Sequence, residues 1–237
     1  MTEVQGLIET DRLATLSVNG SNSLFGDGVA NIYTSVYIWI PLALMAIFLI
    51  FRNITPKRIV LVLVMVVVTI VLCDQLSSSV FKPVFHRLRP TRDPFILNMI
   101  DTVNGYHGGY YGFFSGHAAN SFGIAVLFMW TVRDLWFSLS VGIWAALNSL
   151  IRTYLGVHFV GDILVGAIAG SIIGSLVYLI YHIITRKDTN RPGHCHDSKL
   201  MYTSTGFLKK DIFMFFCVLF GTYSVILIGA CITQGLA

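Results

Sequence analysis

GFFSGHAANSFGIAVLFMW, residues 112–130, sets a titratable ring at the mouth of an apolar run. His117 follows Ser115 and Gly116 directly, and the run behind it has helical length. A bilayer-spanning helix needs about 20 mostly apolar residues, so this stretch reads as a short span that opens near Ser115. The whole chain agrees. Of its 237 residues 55% are hydrophobic and 12% are charged, about half the roughly 25% charged residues of a soluble domain. Mean hydropathy is +0.72. The fold class expected is all-α, a polytopic membrane helical bundle. The net charge of +4 does not point to nucleic acid, because the basic residues sit in short loops between apolar runs, where they set orientation.

Working outward, five or six runs qualify as spans: 32–51 with Pro41 inside it, 59–80, 118–132 (short unless it begins at Ser115), 135–151, 163–184 and 212–233. About six transmembrane helices are therefore expected. Glu3, Glu9, Asp11, Arg12 and Asp27 keep the first thirty residues from spanning, and the pattern around Leu7, Ile8, Leu13 and Leu16 fits an amphipathic helix on the membrane surface. No basic start followed by an apolar stretch marks a cleavable signal peptide, so the first span is expected to target the chain. The organisation expected is a single membrane domain over 1–237. Within it, 1–31 is a surface segment, 32–184 a five-span catalytic core, 185–211 a basic cytoplasmic loop and 212–237 an additional C-terminal span.

Loop charges orient these spans. Arg52, Lys57 and Arg58 mark one connection; Arg186, Lys187, Arg191, Lys199, Lys209 and Lys210 mark another. Both are cytoplasmic by the positive-inside rule. Alternation then puts segments 81–116 and 152–162 together on the opposite, extracytoplasmic face. The first of these is itself basic, with Lys82, His86, Arg87, Arg89 and Arg92. Cations kept outside against the bias suit an anion, or a headgroup anchor at the interface.

Three stretches thus converge: KPVFHRLRP (82–90), SGH (115–117) and RTYLGVHFVGD (152–162). Lys82, Arg89 and Arg152 can neutralise phosphoryl oxygens, Arg as a planar fork and Lys as a point charge. Ser115 and Gly116 open a helix whose unpaired N–H groups and dipole favour an anion. His158 and Asp162 stand four apart, on one face if helical. Asp162 can then hold one ring N–H and leave the other nitrogen to attack phosphorus. His117 suits the acid that protonates the departing oxygen. A charged headgroup would meet His117 at the mouth while its lipid tail stays in the bilayer.

These stretches resemble the three signatures of the type-2 phosphatidic acid phosphatase family of integral membrane lipid phosphatases, KxxxxxxRP, PSGH and SRxxxxxHxxxD. Here they stand as Lys82…Arg89-Pro90, Phe114-Ser115-Gly116-His117 and Ile151-Arg152…His158…Asp162. The resemblance is strong over 74–174 and looser toward the N-terminus, where it is with bacterial members. It implies hydrolysis of a lipid phosphate or diphosphate through a phosphohistidine, with no metal and no other cofactor. His158 would be the nucleophile, Asp162 its orienter and His117 the acid; Lys82, Arg89, Ser115, Gly116 and Arg152 would bind phosphate. The site would face outward from the bacterial inner (plasma) membrane. The same helical core underlies soluble vanadium-dependent haloperoxidases, an activity the spans argue against. Two residues depart from the pattern: Phe114 stands for a Pro that would stiffen the turn, and Ile151 for a Ser that would lend phosphate a hydrogen bond.

Among substrates, undecaprenyl diphosphate comes first, because Arg87, Arg92 and His86 could hold a second phosphate; lipid A phosphate and phosphatidylglycerol phosphate follow. The alternative is a catalytically silent protein that binds or transports a lipid phosphate. Oligomeric state is not set by sequence. Asp74 and Gln75 read as structural groups facing the bundle, too deep for the headgroup plane. Residues 104–112, rich in Gly and aromatics, read equally as a lid or an interfacial belt. Gly166, Gly170 and Gly174 mark close helix packing. Cys73, Cys195, Cys217 and Cys231 read as small core hydrophobes, and His194-Cys195-His196 as solvated loop rather than a metal site.

Overall fold

The computed structural model describes residues 3–19, 23–186, 201–233 and 235. The His194-Cys195-His196 stretch and the basic residues Lys187, Arg191 and Lys199 lie outside them. In the described residues the chain is helical: α1 (Glu3–Asn19), α2 (Leu24–Tyr33), α3 (Ile40–Asn53), α4 (Pro56–Gln75), α5 (Lys82–Phe85), α6 (Gly116–Val132), α7 (Leu135–Tyr154), α8 (Val160–Thr185) and α9 (Lys209–Thr233).

Five helical stretches are long and apolar enough to cross a bilayer: Val36–Asn53, Pro56–Phe85, Leu135–Tyr154, Val160–Thr185 and Lys209–Thr233. The protein is an integral membrane protein. α6, at 17 residues, falls short of the usual span and is the helix that α7 and α8 enclose. Pro41 lies inside the first span, as expected, and in the first turn of α3, where its missing N–H costs no bond. That span starts later than expected. Residue 32 belongs to α2, and extended backbone at Ser35 separates α2 from the tight turn 36–39.

The second span runs unbroken from α4 through one wide, π-type segment (Leu76–Phe81) into α5. Its 30 residues cover roughly 45 Å at the α-helical rise. Lys82 therefore stands a bilayer away from Lys57 and Arg58. At the latter end Asp211 is buried against Arg52 (3.1 Å) and Asn53 (2.9 Å), which seats α9 on α3.

α8 lies against α6 along its glycines. A Cβ on Gly166 would stand 2.6 Å from the Ser115 carbonyl oxygen, and one on Gly170 or Gly174 would collide with the Ala119 or Gly123 carbonyl. The small-residue spacing is thus a packing device, as expected. Cys73 is buried, but Cys217 faces outward, contrary to the core reading, because α9 is an outer helix with one flank exposed.

The first thirty residues hold two helices rather than one. α1 exposes Val4, Leu7, Ile8 and Leu13, the apolar face expected at a membrane surface. Its other face carries Asp11, Thr15 and Asn19 at four-residue spacing, and this polar stripe is turned inward. Asn19 donates to the carbonyls of Asp101 (2.8 Å) and Tyr154 (2.7 Å) and accepts from the Asp101 N–H (2.8 Å). Arg12 grips Asp93 with two donors (3.0 and 3.2 Å).

Candidate active site

Every expected site residue stands at the end of the bundle where α5, α6, α7 and α8 meet. Ser115 caps α6 with its hydroxyl on the Ala118 N–H (3.4 Å). Its own N–H donates to the Asp162 carbonyl (3.0 Å), tying the second signature to the third. Ahead of the Ala118 N–H, those of Gly116 and His117 have no partner within the helix. His117, the second residue of α6, is exposed.

His158 sits just ahead of α8 and is 2% exposed. Its Nδ1 faces Asp162 Oδ2 at 3.4 Å, and its Nε2 faces Arg89 Nη1 at 3.5 Å. The first is long for a hydrogen bond, a length common in sites without substrate. The two residues meet although His158 lies outside the helix: one ring nitrogen faces the carboxylate and the other a cation. Asp162 is fully buried. Its Oδ2 also accepts from the Phe159 N–H (3.1 Å), and its Oδ1 from Arg87 Nη1 (2.9 Å). Burial pulls the His158 pKa below the ordinary histidine value, and Asp162 pulls partly the other way. A neutral ring with a free lone pair is the form that can attack.

Arg89 spends Nε on the Tyr111 carbonyl (3.3 Å) and Nη1 on the Val157 carbonyl (3.1 Å). Those bonds aim its planar head at His158. Gly108 makes room for it: its φ is +64°, and a Cβ there would lie 2.7 Å from Arg89 Nη1. Gly112 backs the pair itself, with a built Cβ 2.9 Å from Asp162 Oδ2 and 3.6 Å from His158 Nδ1. Arg152 approaches from α7 with its Nε buried and unbonded. A phosphate oxygen is the acceptor such a donor lacks.

Arg87 is the main residue that sequence reasoning misassigned. Expected to hold a second phosphate, it has both ends of its fork taken by carboxylates: Asp162 and, at 2.6 Å, Asp11 of α1. Its guanidinium also lies over the Phe159 ring, 4.1 Å from the centroid. The polar stripe of α1 was the available signal. Arg92 likewise stacks on Tyr110 (4.4 Å). Residues 104–112 are stitched to the Arg87–Arg92 segment: the Gly112 N–H donates to the Arg87 carbonyl (2.9 Å), the Arg89 N–H to the Tyr110 carbonyl (3.3 Å) and Thr91 to the His107 carbonyl (3.0 Å). They form a wall of the site.

Phe114, in place of the family's Pro, is fully buried and meets Phe81 edge-on at 4.9 Å, while its carbonyl accepts from Ser77 (2.8 Å). Packing holds the turn that proline would have held by ring closure. Ile151 packs with Ala30, Leu155 and Val157 and adds no polar group to the site. Asp74, expected to face the bundle as a structural group, is exposed, and its Oδ1 lies 3.9 Å from where a Gly116 Cβ would be.

Residues 58–186 match the sequence profile of the PAP2 superfamily. The chain belongs to the PAP2 superfamily. Two curated relatives are lipid A 4'-phosphatases. That of Bacteroides thetaiotaomicron is 36% identical and covers 80% of this chain and 86% of its own. That of Porphyromonas gingivalis is 34% identical, over 74% of each. Among solved structures, Aquifex aeolicus LpxE superposes with a TM-score of 0.50 at 25% identity, covering 72% of this chain and 93% of that one. A transmembrane PAP2-type phosphatidylglycerolphosphate phosphatase from Bacillus subtilis gives 0.52 at 21% identity, over 80% and 90%, and shares the fold. As a PAP2 enzyme, the protein is a membrane lipid phosphatase.

Proposed function

We propose that this PAP2 enzyme removes a phosphate monoester from a lipid A-type glycolipid at the extracytoplasmic face of the inner membrane, through a phosphohistidine on His158. The observation that carries this reading is the two-sided hold on that ring, Nδ1 toward Asp162 and Nε2 toward Arg89. In the first step Nε2 attacks phosphorus, the bond from phosphorus to the lipid oxygen breaks, and His117 gives that oxygen its proton. Lys82, Arg89, Arg152, the Ser115 hydroxyl and the first N–H groups of α6 bind the equatorial oxygens, whose charge changes in the transition state. Water, deprotonated by His117, then cleaves the phosphorus–nitrogen bond and releases phosphate.

Two observations favour a monoester of lipid A over a polyprenyl diphosphate. Both curated relatives are lipid A 4'-phosphatases. Arg87, the cation expected for a second phosphate, is held by Asp11 and Asp162. The outward face follows from the cationic loop ends at Arg52, Lys57 and Arg58, a membrane thickness from the site.

The test is phosphate release in detergent, with chelator present, from lipid A 4'-phosphate, phosphatidylglycerol phosphate and undecaprenyl diphosphate. Wild type is expected to turn over the glycolipid fastest, and His158→Ala to lose release from all three. With 32P-labelled substrate, acid-labile, base-stable label should collect on wild type during turnover. No release from any of the three lipids, or full release by His158→Ala, overturns the reading.

A further inference from the structure

Asp74 is an exposed carboxylate near the end of α4, on a helix that spans the bilayer. An ionised side chain at such a place is costly and is kept where it serves a partner. Among the described residues no side chain bonds to its carboxylate; only its backbone carbonyl is used, by the Ser78 hydroxyl at 2.7 Å. Yet it is not remote from the chemistry. The Gly116 Cβ position lies 3.9 Å from Asp74 Oδ1 and 3.4 Å from Ser77 Oγ, so Asp74 and Ser77 flank the opening turn of α6. The wide Leu76–Phe81 segment follows at once; such π-type turns occur frequently at functional sites.

A carboxylate beside a phosphate cradle has no use for the phosphate. It is acceptor-only, as phosphate oxygens are at neutral pH, and like charges repel. What it can bind is a donor on the part of the substrate next to the phosphoester. Gln75 and Ser79, bonded to each other at 2.9 Å on the same exposed stretch, extend this polar edge. Glycerol esterified at both free oxygens offers no donor there. A sugar ring offers hydroxyl and amide N–H groups.

We propose that Asp74 is a specificity residue, accepting a hydrogen bond from a hydroxyl or amide N–H of the sugar that carries the phosphate, so that the site selects a glycolipid phosphate over a lipid phosphate without such a donor. The inference rests on the phosphatase reading above. A second effect of Asp74 is separable. Its charge also acts on Lys82, and a role confined to Lys82 would alter the cleavage of every phosphate lipid alike.

The experiment measures kcat/KM for lipid A 4'-phosphate and for phosphatidic acid with the full-length wild type, Asp74→Asn and Asp74→Ala. Because the ratio is taken within one preparation, a reduced folded fraction cancels. The expected result is a glycolipid-to-phosphatidic-acid ratio about ten-fold or more lower in both variants, the size of one hydrogen bond to a charged group, carried mainly by the glycolipid. An unchanged ratio, whether both rates fall together or neither moves, overturns the proposal while the phosphatase reading stands. Failure of the wild type on both lipids overturns the phosphatase reading, and this inference with it.

Discussion

The Asp162 carboxylate meets His158, the Phe159 N–H and Arg87, while its backbone carbonyl accepts from Ser115. Three consequences belong to this scale. Asp162→Asn keeps the shape but loses the charge that selects one ring tautomer, so kcat is expected to fall about 10³–10⁴-fold, the order seen when an orienting carboxylate is neutralised; steady-state release assays on the folded variant check it. Arg87 touches no substrate in this arrangement and acts through Asp162. Arg87→Leu is therefore expected to lower kcat on the order of 10²-fold, as small misplacements do, with KM little changed; a rise in KM alone would mark it as a phosphate ligand. The third concerns protonation. Burial disfavours the charged ring, so His158 stays neutral as pH falls through the ordinary value of about 6.5 and gains its proton only below it. Histidine-labelled NMR titration should place its midpoint under that value. Asp162→Asn, which removes the group favouring the charged form, should move the midpoint further down. A midpoint above about 6.5 would contradict the burial.

At the scale of elements, the α6–α8 contact decides whether the second and third signatures meet. Gly170 abuts the Ala119 backbone, which cannot yield as a side chain can. Gly170→Leu is expected to separate the helices, lower the thermal midpoint in detergent and lose activity with it; Gly170→Ala should do the same in smaller measure, about 1–3 kcal/mol for one overpacked group. This contact was legible in the chain, because three glycines at four-residue spacing in an apolar run have few other meanings. The signatures were legible for a related reason: residue types as costly as Lys82, Arg152 and Asp162 are rare next to a bilayer. α1 was half legible. Its apolar face announced a surface helix, but the partners of Asp11, Arg12 and Asn19 outside α1 lie between 76 and 150 residues away, and no local period encodes them. Asp74 was misjudged because an ionisable residue in an apolar run reads as bundle-facing, and the sequence does not show that α6 opens beside it.

For the whole molecule, the separation of two cationic zones orders everything else. Lys57 and Arg58 start the 30-residue α4–α5 span, and Lys82, Arg87 and Arg89 stand at or beyond its end. In a background with the native cysteines replaced, a membrane-impermeant maleimide added to intact spheroplasts is expected to label His107→Cys and to spare Lys57→Cys until the membrane is opened. The reverse pattern would put the site in the cytoplasm. The helix count was readable to within α6, whose 17 residues suffice because neighbouring helices enclose it. The division of the N-terminal third into α1, α2 and a delayed first span was not readable, since extended backbone at Ser35 leaves no mark in hydropathy.

Arg87 joins Asp11, on α1, to Asp162, in the first turn of α8. Asp11 also accepts from the Gly161 N–H at 2.8 Å, across 150 residues of chain. During synthesis α1 leaves the ribosome first and completes its docking only when Tyr154 of α7 and Gly161 of α8 are both in place. It can wait on the membrane surface, because its apolar face suits that boundary whether or not the polar stripe is engaged. The charge network around His158 therefore closes late in insertion. A nascent or truncated chain lacking α8 still carries His158 but not Asp162, so the pair forms only once α8 is in place.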